Sequence, residues 1–214
     1  MRGASQITMS FPANPSFGRD DFLVSASNRE ALDWIDLWPK WNAPLLYIYG
    51  PAGSGKTHLA HIWQSRAGKD ATLIEDVDRL IGNRPQEETL FHLYNRLRQI
   101  SGSILVTGNA PLQLLKFAVP DLASRLRSCP QVALGLPDED LLRAVLVKLF
   151  SDRQMRIDVG VIEYCLPRME RSFAAARELV AALDEKSLAT KRPVTVSMAR
   201  DILNPHQGSM FCDG

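Results

Sequence analysis

Cysteine and histidine are both scarce in this 214-residue chain, with three of the first and four of the second. Cys129, Cys165 and Cys212 are odd in number and far apart, which suits neither a disulfide framework nor a zinc site. His58, His61, His92 and His206 have no set of ligand partners in their spacing, so a Cys/His metal centre is not expected. Net charge is also missing: 25 basic against 24 acidic side chains leave +1, too little for a global field that gathers nucleic acid or membrane. No apolar run approaches transmembrane length, and residues 1–20 lack the hydrophobic core of a signal peptide. No internal repeat or low-complexity tract is visible. With 45% hydrophobic residues, a packed core is within reach, and the composition reads as a cytoplasmic protein with no membrane segment.

What is present is concentrated in one stretch. Gly50-Pro51-Ala52-Gly53-Ser54-Gly55-Lys56-Thr57 is a complete G-x-x-x-x-G-K-[ST] phosphate loop. Leu45-Leu46-Tyr47-Ile48-Tyr49 before it reads as a buried parallel strand, and the stretch from His58 to Trp63 reads as a helix. Such a loop turns backbone N–H groups toward phosphate oxygens, and the helix N-terminus adds partial positive charge. Lys56 is placed for the β/γ-phosphates and the Thr57 hydroxyl for Mg²⁺.

The rest of the chain supplies matching parts. Ala71-Thr72-Leu73-Ile74 is an apolar strand ending in Glu75-Asp76. Acids at the tip of a core strand are costly without a cation, and beside a phosphate loop they fit a Walker B pair. Glu75 is then the metal ligand with Thr57, and Asp76 orients water. Ser103-Ile104-Leu105-Val106-Thr107 is another strand, with Asn109 at its tip, where it either meets the γ-phosphate or serves the turn. A short helical turn, Pro120–Leu126, carries Arg125, and Gln131–Leu134 is a last strand. Asn28 is expected to cap an early helix whose buried stripe is Ala31, Trp34, Ile35 and Trp38, and a helix is expected from Gln86 to Ile100. After Pro137 only helices follow: one capped by Asp138, one by Asp158 with Val159, Ile162 and Leu166 inward, one by Ser172 with Phe173, Ala176, Val180 and Leu183 inward, and one from Ser197 to Leu203. The expected layout is an N-terminal arm (1–20), an α/β nucleotide-binding domain (21–135), an all-helical lid (136–206) and a tail (207–214).

The order of phosphate loop, Walker B, Asn-tipped strand, arginine turn and helical lid resembles the AAA+ ATPases. Tyr49-Gly50 through His58-Leu59 is similar to the phosphate loop of the initiator DnaA. Phe91-His92-Leu93-Tyr94-Asn95-Arg96, Thr107-Gly108-Asn109-Ala110-Pro111 and Pro120-Asp121-Leu122-Ala123-Ser124-Arg125-Leu126 resemble the DnaA-related Hda family over residues 20 to 204. Gln6-Ile7-Thr8-Met9-Ser10-Phe11 resembles that family's clamp-binding peptide, whose anchors would be Gln6, Ile7, Met9 and Phe11.

The resemblance implies a P-loop AAA+ parallel-sheet domain with a helical lid. Its nucleotide is ADP or ATP with Mg²⁺, held by Gly50, Pro51, Ala52, Gly53, Ser54, Gly55, Lys56, Thr57 and His58. Phe22, Leu23, Val24 and Asn28 would lie beside adenine. Asn109 is the sensor 1 position, and Arg125 acts in trans on ATP bound by DnaA. Partners are then the sliding clamp, DnaA and, through the clamp, DNA in the nucleoid; a homodimer is compatible with it. The implied function is negative regulation of replication initiation, with a free-standing ATPase of helicase-loader type as the alternative and an origin-binding module as a weaker one. Only Ser65 to Asp70 separate the loop's helix from the next strand, so four main strands are expected rather than five. Ala174 stands where the family's sensor 2 arginine belongs, with Arg177 a turn later, so intrinsic hydrolysis is expected to be weak or absent.

Overall fold

The computed structural model describes Arg19, residues 22–68 and residues 71–204. In chain order the elements are α1 (Arg29–Leu37), β1 (Leu45–Tyr49), α2 (Lys56–Arg66), β2 (Ala71–Ile74), α3 (Arg84–Gln99), β3 (Ser103–Gly108), α4 (Pro120–Arg127), β4 (Gln131–Ala133), α5 (Glu139–Asp152), α6 (Val159–Cys165), α7 (Phe173–Thr190) and α8 (Val196–Leu203). The four strands form one parallel sheet in the order β2-β3-β1-β4. The sheet is therefore as short as the spacing after the phosphate loop predicts.

Strand side chains alternate faces, and the core follows that period. Leu46 and Ile48 of β1 and Leu105 of β3 point to a cluster with Leu32 and Ile35 of α1 and Leu59 and Trp63 of α2. Leu45 and Tyr47 of β1 and Ile104 and Val106 of β3 point the other way, to Leu90, Tyr94 and Leu97 of α3 and Leu122 and Leu126 of α4. Both faces of the sheet are thus covered, which is why β1 reads as an unbroken apolar run. A third cluster belongs to the last four helices and includes Leu142, Leu146, Phe150, Ile162, Val180 and Leu183.

Several local expectations are corrected. α1 buries Ala31, Leu32 and Ile35 and stops at Leu37, leaving Trp38 beyond its end. Asn28 occupies the N-cap position without a capping bond, because its side chain accepts from the Ser25 N–H and donates to the Leu23 carbonyl. α3 starts at Arg84, since proline is tolerated in a first turn, and Asn83 caps it through the Gln86 N–H. In α6 it is Val161, Ile162 and Cys165 that are buried, while Val159 at its start is 70% exposed. Asp138, Asp158 and Ser172 cap their helices as expected, and α8 begins at Val196 with Thr195 as its cap.

Candidate nucleotide site

Everything in the site hangs on the carboxyl ends of β1, β2 and β3. The loop leaves β1 at Gly50, whose N–H donates to the Gly108 carbonyl at the tip of β3, 3.1 Å away. It enters α2 through Gly55, which serves as the helix N-cap with φ +98°, a left-handed conformation that only glycine adopts at little cost. Thr57 is exposed on the first turn of α2, and Lys56 is only 7% exposed.

The Lys56 ammonium is folded onto its own loop. It donates to the Gly50 carbonyl at 2.6 Å, the Pro51 carbonyl at 2.9 Å and Asn109 Oδ1 at 3.3 Å, three acceptors for its three protons. Burial pushes its pKa below the usual lysine value, and the negative charges of Asp76 and Asp78 push the other way. A phosphate oxygen reaching this lysine would replace uncharged carbonyls with an anion, a stronger acceptor in a partly dry place.

The acids do not act alike. Glu75 is exposed and makes no hydrogen bond or ion pair among the described residues. Asp76 has a left-handed backbone (φ 50°, ψ 51°); its N–H donates to Thr107 Oγ1 at 3.1 Å, and its carboxylate pairs with Arg79 at 3.1 Å. Asp78 bonds to the tip of β3. Its Oδ2 accepts the Asn109 backbone N–H at 2.6 Å and the Asn109 side-chain amide at 3.2 Å. Among the described residues no group of three or more His, Cys, Asp or Glu side chains is placed to hold a metal ion. The Thr57 hydroxyl and the exposed Glu75 carboxylate, the two expected metal ligands, are hard oxygen donors of the kind that suits Mg²⁺, and the neighbouring Asp76 carboxylate is engaged with Arg79.

On the other side of the loop Phe22 is buried, and its ring stands edge-on to the His58 ring with centroids 5.1 Å apart. Leu23 and Val24 are half-buried after it. Asn28 folds residues 23–28 into a turn, and the Ser27 carbonyl accepts from the Gly135 N–H at 3.2 Å, just past β4. Ala174 is half-buried near the start of α7; Arg177, a turn later, is exposed and makes no hydrogen bond or ion pair among the described residues. Gln6, Ile7, Met9 and Phe11 lie outside the described residues.

Arg125 sits on α4, its guanidinium 5.2 Å from the Phe91 ring centroid and 5.6 Å from that of Tyr94. No ion pair joins it to Asp121 among the described residues. Arg127, two residues on, is committed to structure: it donates to the Leu112 carbonyl at 3.3 Å and the Leu115 carbonyl at 3.1 Å and covers the Phe117 ring. α4 itself is fixed by Glu87, fully buried in the first turn of α3. Its carboxylate accepts from the N–H groups of Gly82 at 2.6 Å, Ala118 at 2.9 Å and Val119 at 2.7 Å, the last being the N-cap of α4. Sequence reasoning passed over Asp78 and Glu87. Asp78 is one acid beyond an acidic pair, and Glu87 looks like an ordinary first-turn acid facing the helix dipole.

A parallel sheet carrying a phosphate loop, acids on the adjoining strand tip, an Asn-tipped strand and a helical lid defines an AAA+ P-loop protein. Residues 138–203 match the family model described as "Hda, lid domain". The chain is 28% identical over 240 aligned positions to the chromosomal replication initiator protein DnaA of Thermomicrobium roseum, covering 89% of this chain and 50% of the relative. It spans about half the length of the curated DnaA relatives it matches. Its fold is that of domain III of the Thermotoga maritima DnaA (TM-score 0.78, 22% identity, 90% of this chain and 97% of the other) and of AMPPCP-bound DnaA from Aquifex aeolicus (TM-score 0.71, 20% identity, 82% and 67%). The chain is thus similar to DnaA-related AAA+ proteins, and its last four helices are similar to the Hda lid domain.

Proposed function

We propose that this protein regulates replication initiation by making DnaA hydrolyse its bound ATP. It binds an adenine nucleotide in its own phosphate loop, docks on the DNA-loaded sliding clamp through residues 6–11, and presents Arg125 to the γ-phosphate of ATP held by DnaA. The observation that carries this reading is the contrast on α4. Arg127 is used up by loop carbonyls, whereas Arg125 rests on two aromatic rings that hold a guanidinium in place without neutralising it. A helix-borne positive charge with no ion-pair partner among the described residues is what stabilisation of phosphoryl-transfer charge in trans requires, an effect of about 10³–10⁵ in rate for such fingers. The Hda-type lid and the DnaA likeness support the partner, and an AMPPCP-bound neighbour of the same fold supports the nucleotide.

Within this chain Lys56 and the loop amides bind phosphate, and Thr57 with the acids at the β2 tip would hold Mg²⁺, which supplies charge neutralisation between phosphate oxygens. Intrinsic hydrolysis is weak in this reading, because Ala174 provides no cation at the start of α7 and Arg177, a turn later, is exposed. The test is single-turnover hydrolysis of labelled ATP on DnaA, with clamp loaded on DNA. Arg125→Ala should bind nucleotide and clamp normally and leave DnaA at its unstimulated rate; stimulation equal to wild type would remove Arg125 from the mechanism. Gln6→Ala with Phe11→Ala should lose clamp binding in a pull-down while melting at an unchanged temperature.

A further inference from the structure

A continuous run of hydrogen bonds joins the β2 tip, the β3 tip and the phosphate loop. The Asp76 N–H donates to Thr107 Oγ1 at 3.1 Å, and Asp78 Oδ2 accepts both the Asn109 backbone N–H, at 2.6 Å, and the Asn109 side-chain amide, at 3.2 Å. Asn109 Oδ1 in turn accepts from the Lys56 ammonium at 3.3 Å, and the Gly50 N–H donates to the Gly108 carbonyl at 3.1 Å. The amide thus stands between a carboxylate and an ammonium. One orientation satisfies both, since a flip would set oxygen against carboxylate and N–H against ammonium. The carboxylate comes this close because residue 108 is glycine: a Cβ there would lie 2.9 Å from Asp78 Oδ2 and closer still to the Tyr47 hydroxyl. That hydroxyl donates to the Ala110 carbonyl at 2.6 Å and fixes the next residue of the same turn. The other Asp78 oxygen is buried and has no hydrogen-bond partner among the described residues, a cost that fold stability alone does not call for.

We propose that Asp78 is a positioning residue of the phosphate site: it sets the direction of the Asn109 amide and, through it, the place of the Lys56 ammonium. The inference rests on the nucleotide reading above. Among the described residues the Asp78 carboxylate bonds to Asn109 alone, so its influence on the loop passes through that side chain. With its oxygen on Lys56 and one N–H on Asp78, the Asn109 amide keeps a further N–H for an arriving anion. A side chain already held in place loses little freedom when it meets that anion. Without the carboxylate, Asn109 is ordered only when nucleotide arrives, and the ordering lowers the affinity. The contribution is one of preorganisation, so an uncharged oxygen acceptor of the same shape serves as well.

Two measurements test this. In nitrogen-15 spectra of the nucleotide-free protein, the Asn109 side-chain amide protons should exchange with solvent several-fold faster in Asp78→Ala than in wild type or Asp78→Asn. Calorimetric titration with ADP and Mg²⁺ should find Asp78→Ala weaker by roughly threefold to tenfold, the range for one hydrogen bond, and Asp78→Asn close to wild type. The double variant Asp78→Ala with Asn109→Ala should bind no more weakly than Asn109→Ala alone, because Asp78 acts through Asn109. Additive losses overturn the proposal, and so does an Asp78→Asn as weak as Asp78→Ala, since the carboxylate would then act on the nucleotide or its metal directly. Wild-type affinity or wild-type amide exchange in a folded Asp78→Ala overturns it as well. Asp78→Ser, too short to reach Asn109, replaces the alanine variant should that one fold poorly, with the same expected results. Failure of wild type to bind ADP overturns the nucleotide reading and the proposal with it, and the exchange data then show separately whether Asp78 orients Asn109.

Discussion

The Phe173 N–H, at the start of α7, donates to the carbonyl of Gly53 in the phosphate loop at 3.3 Å. The contact is tight on both sides. A Cβ on Gly53 would lie 2.5 Å from the Ser172 Cβ, and one on Gly55 would lie 3.0 Å from the Phe173 ring. The lid is thus seated on the loop by the first turn of one helix, so a change in the loop is felt directly by that helix.

Gly53→Ala should therefore be costly. It forces a Cβ into a φ of +76° and against Ser172, and each effect alone is worth about 1–3 kcal/mol. Urea denaturation should show a loss in that range, and the thermal shift produced by ADP with Mg²⁺ should shrink. Gly68→Ala is the control, because a Cβ there meets nothing within 4 Å. Its stability should be unchanged or slightly raised through a less free unfolded chain.

Lys56→Ala removes the charge that meets phosphate, and most of the nucleotide-induced rise in melting temperature should disappear. The protein without ligand should not suffer equally. Burial lowers the Lys56 pKa, so the unfolded chain holds this proton more firmly and the folded chain becomes more stable as pH rises toward 10.5. Against Lys56→Ala, the wild type should gain relative stability over that alkaline interval when the two are compared by urea denaturation.

Glu87→Ala would take the shared acceptor away from the N–H groups of Gly82, Ala118 and Val119 at a part-buried junction. A cost of about 1–3 kcal/mol is expected, because water reaches part of what three lost bonds to a charged acceptor leave open. The consequence for function should be selective: the start of α4 loosens, so stimulation of DnaA should fall while ADP still raises the melting temperature. Denaturation and the single-turnover assay together check this.

Phe91→Leu keeps apolar bulk at the half-buried position and removes one of the two rings under Arg125. Loss of a ring contact worth roughly 0.5–2 kcal/mol should lower stimulation several-fold. A double-mutant cycle with Arg125→Ala provides the check, because Phe91→Leu should have no further effect once the guanidinium is gone.

Alkaline pH should destabilise the protein through its buried thiols. Burial pushes Cys129 up to about 12 and Cys165 up to about 11 from an ordinary value of 9.0. A raised folded pKa means the unfolded chain ionises first. The thiols' contribution is complete below pH 9 and is lost as pH climbs through 11 to 12. Cys129→Ala should show a shallower fall in stability between pH 9 and 10.5, and in wild type both thiols should react with a disulfide reagent far more slowly folded than in urea.

The phosphate loop, the four strands and the helical lid were legible because each rests on local pattern: a glycine spacing, apolar runs, capping residues at Asp138, Asp158 and Ser172. Asp78 and Glu87 were not. The partners of Asp78 lie on Asn109, and those of Glu87 include Ala118 and Val119, in each case 31 or 32 residues away in sequence. Nothing in Glu75-Asp76-Val77-Asp78 says which carboxylate the sheet will turn inward. Val159 misled for the opposite reason, since apolar spacing is read correctly only when the helix start is known, and Gly160 and Val161 shift the face by two positions.

The strand that leads to Glu75 and Asp76 is also an edge strand. Among the described residues β2 pairs with β3 alone, and all four of its residues are only half-buried. Its outer backbone groups have no neighbouring strand among the described residues to protect them. Amide protons of β2 should therefore exchange with deuterium well before those of β1, which is flanked on both sides. The acid-bearing tip would then belong to the least cooperative part of the sheet, and detachment of a single strand would disarm the site while the rest of the molecule stayed folded.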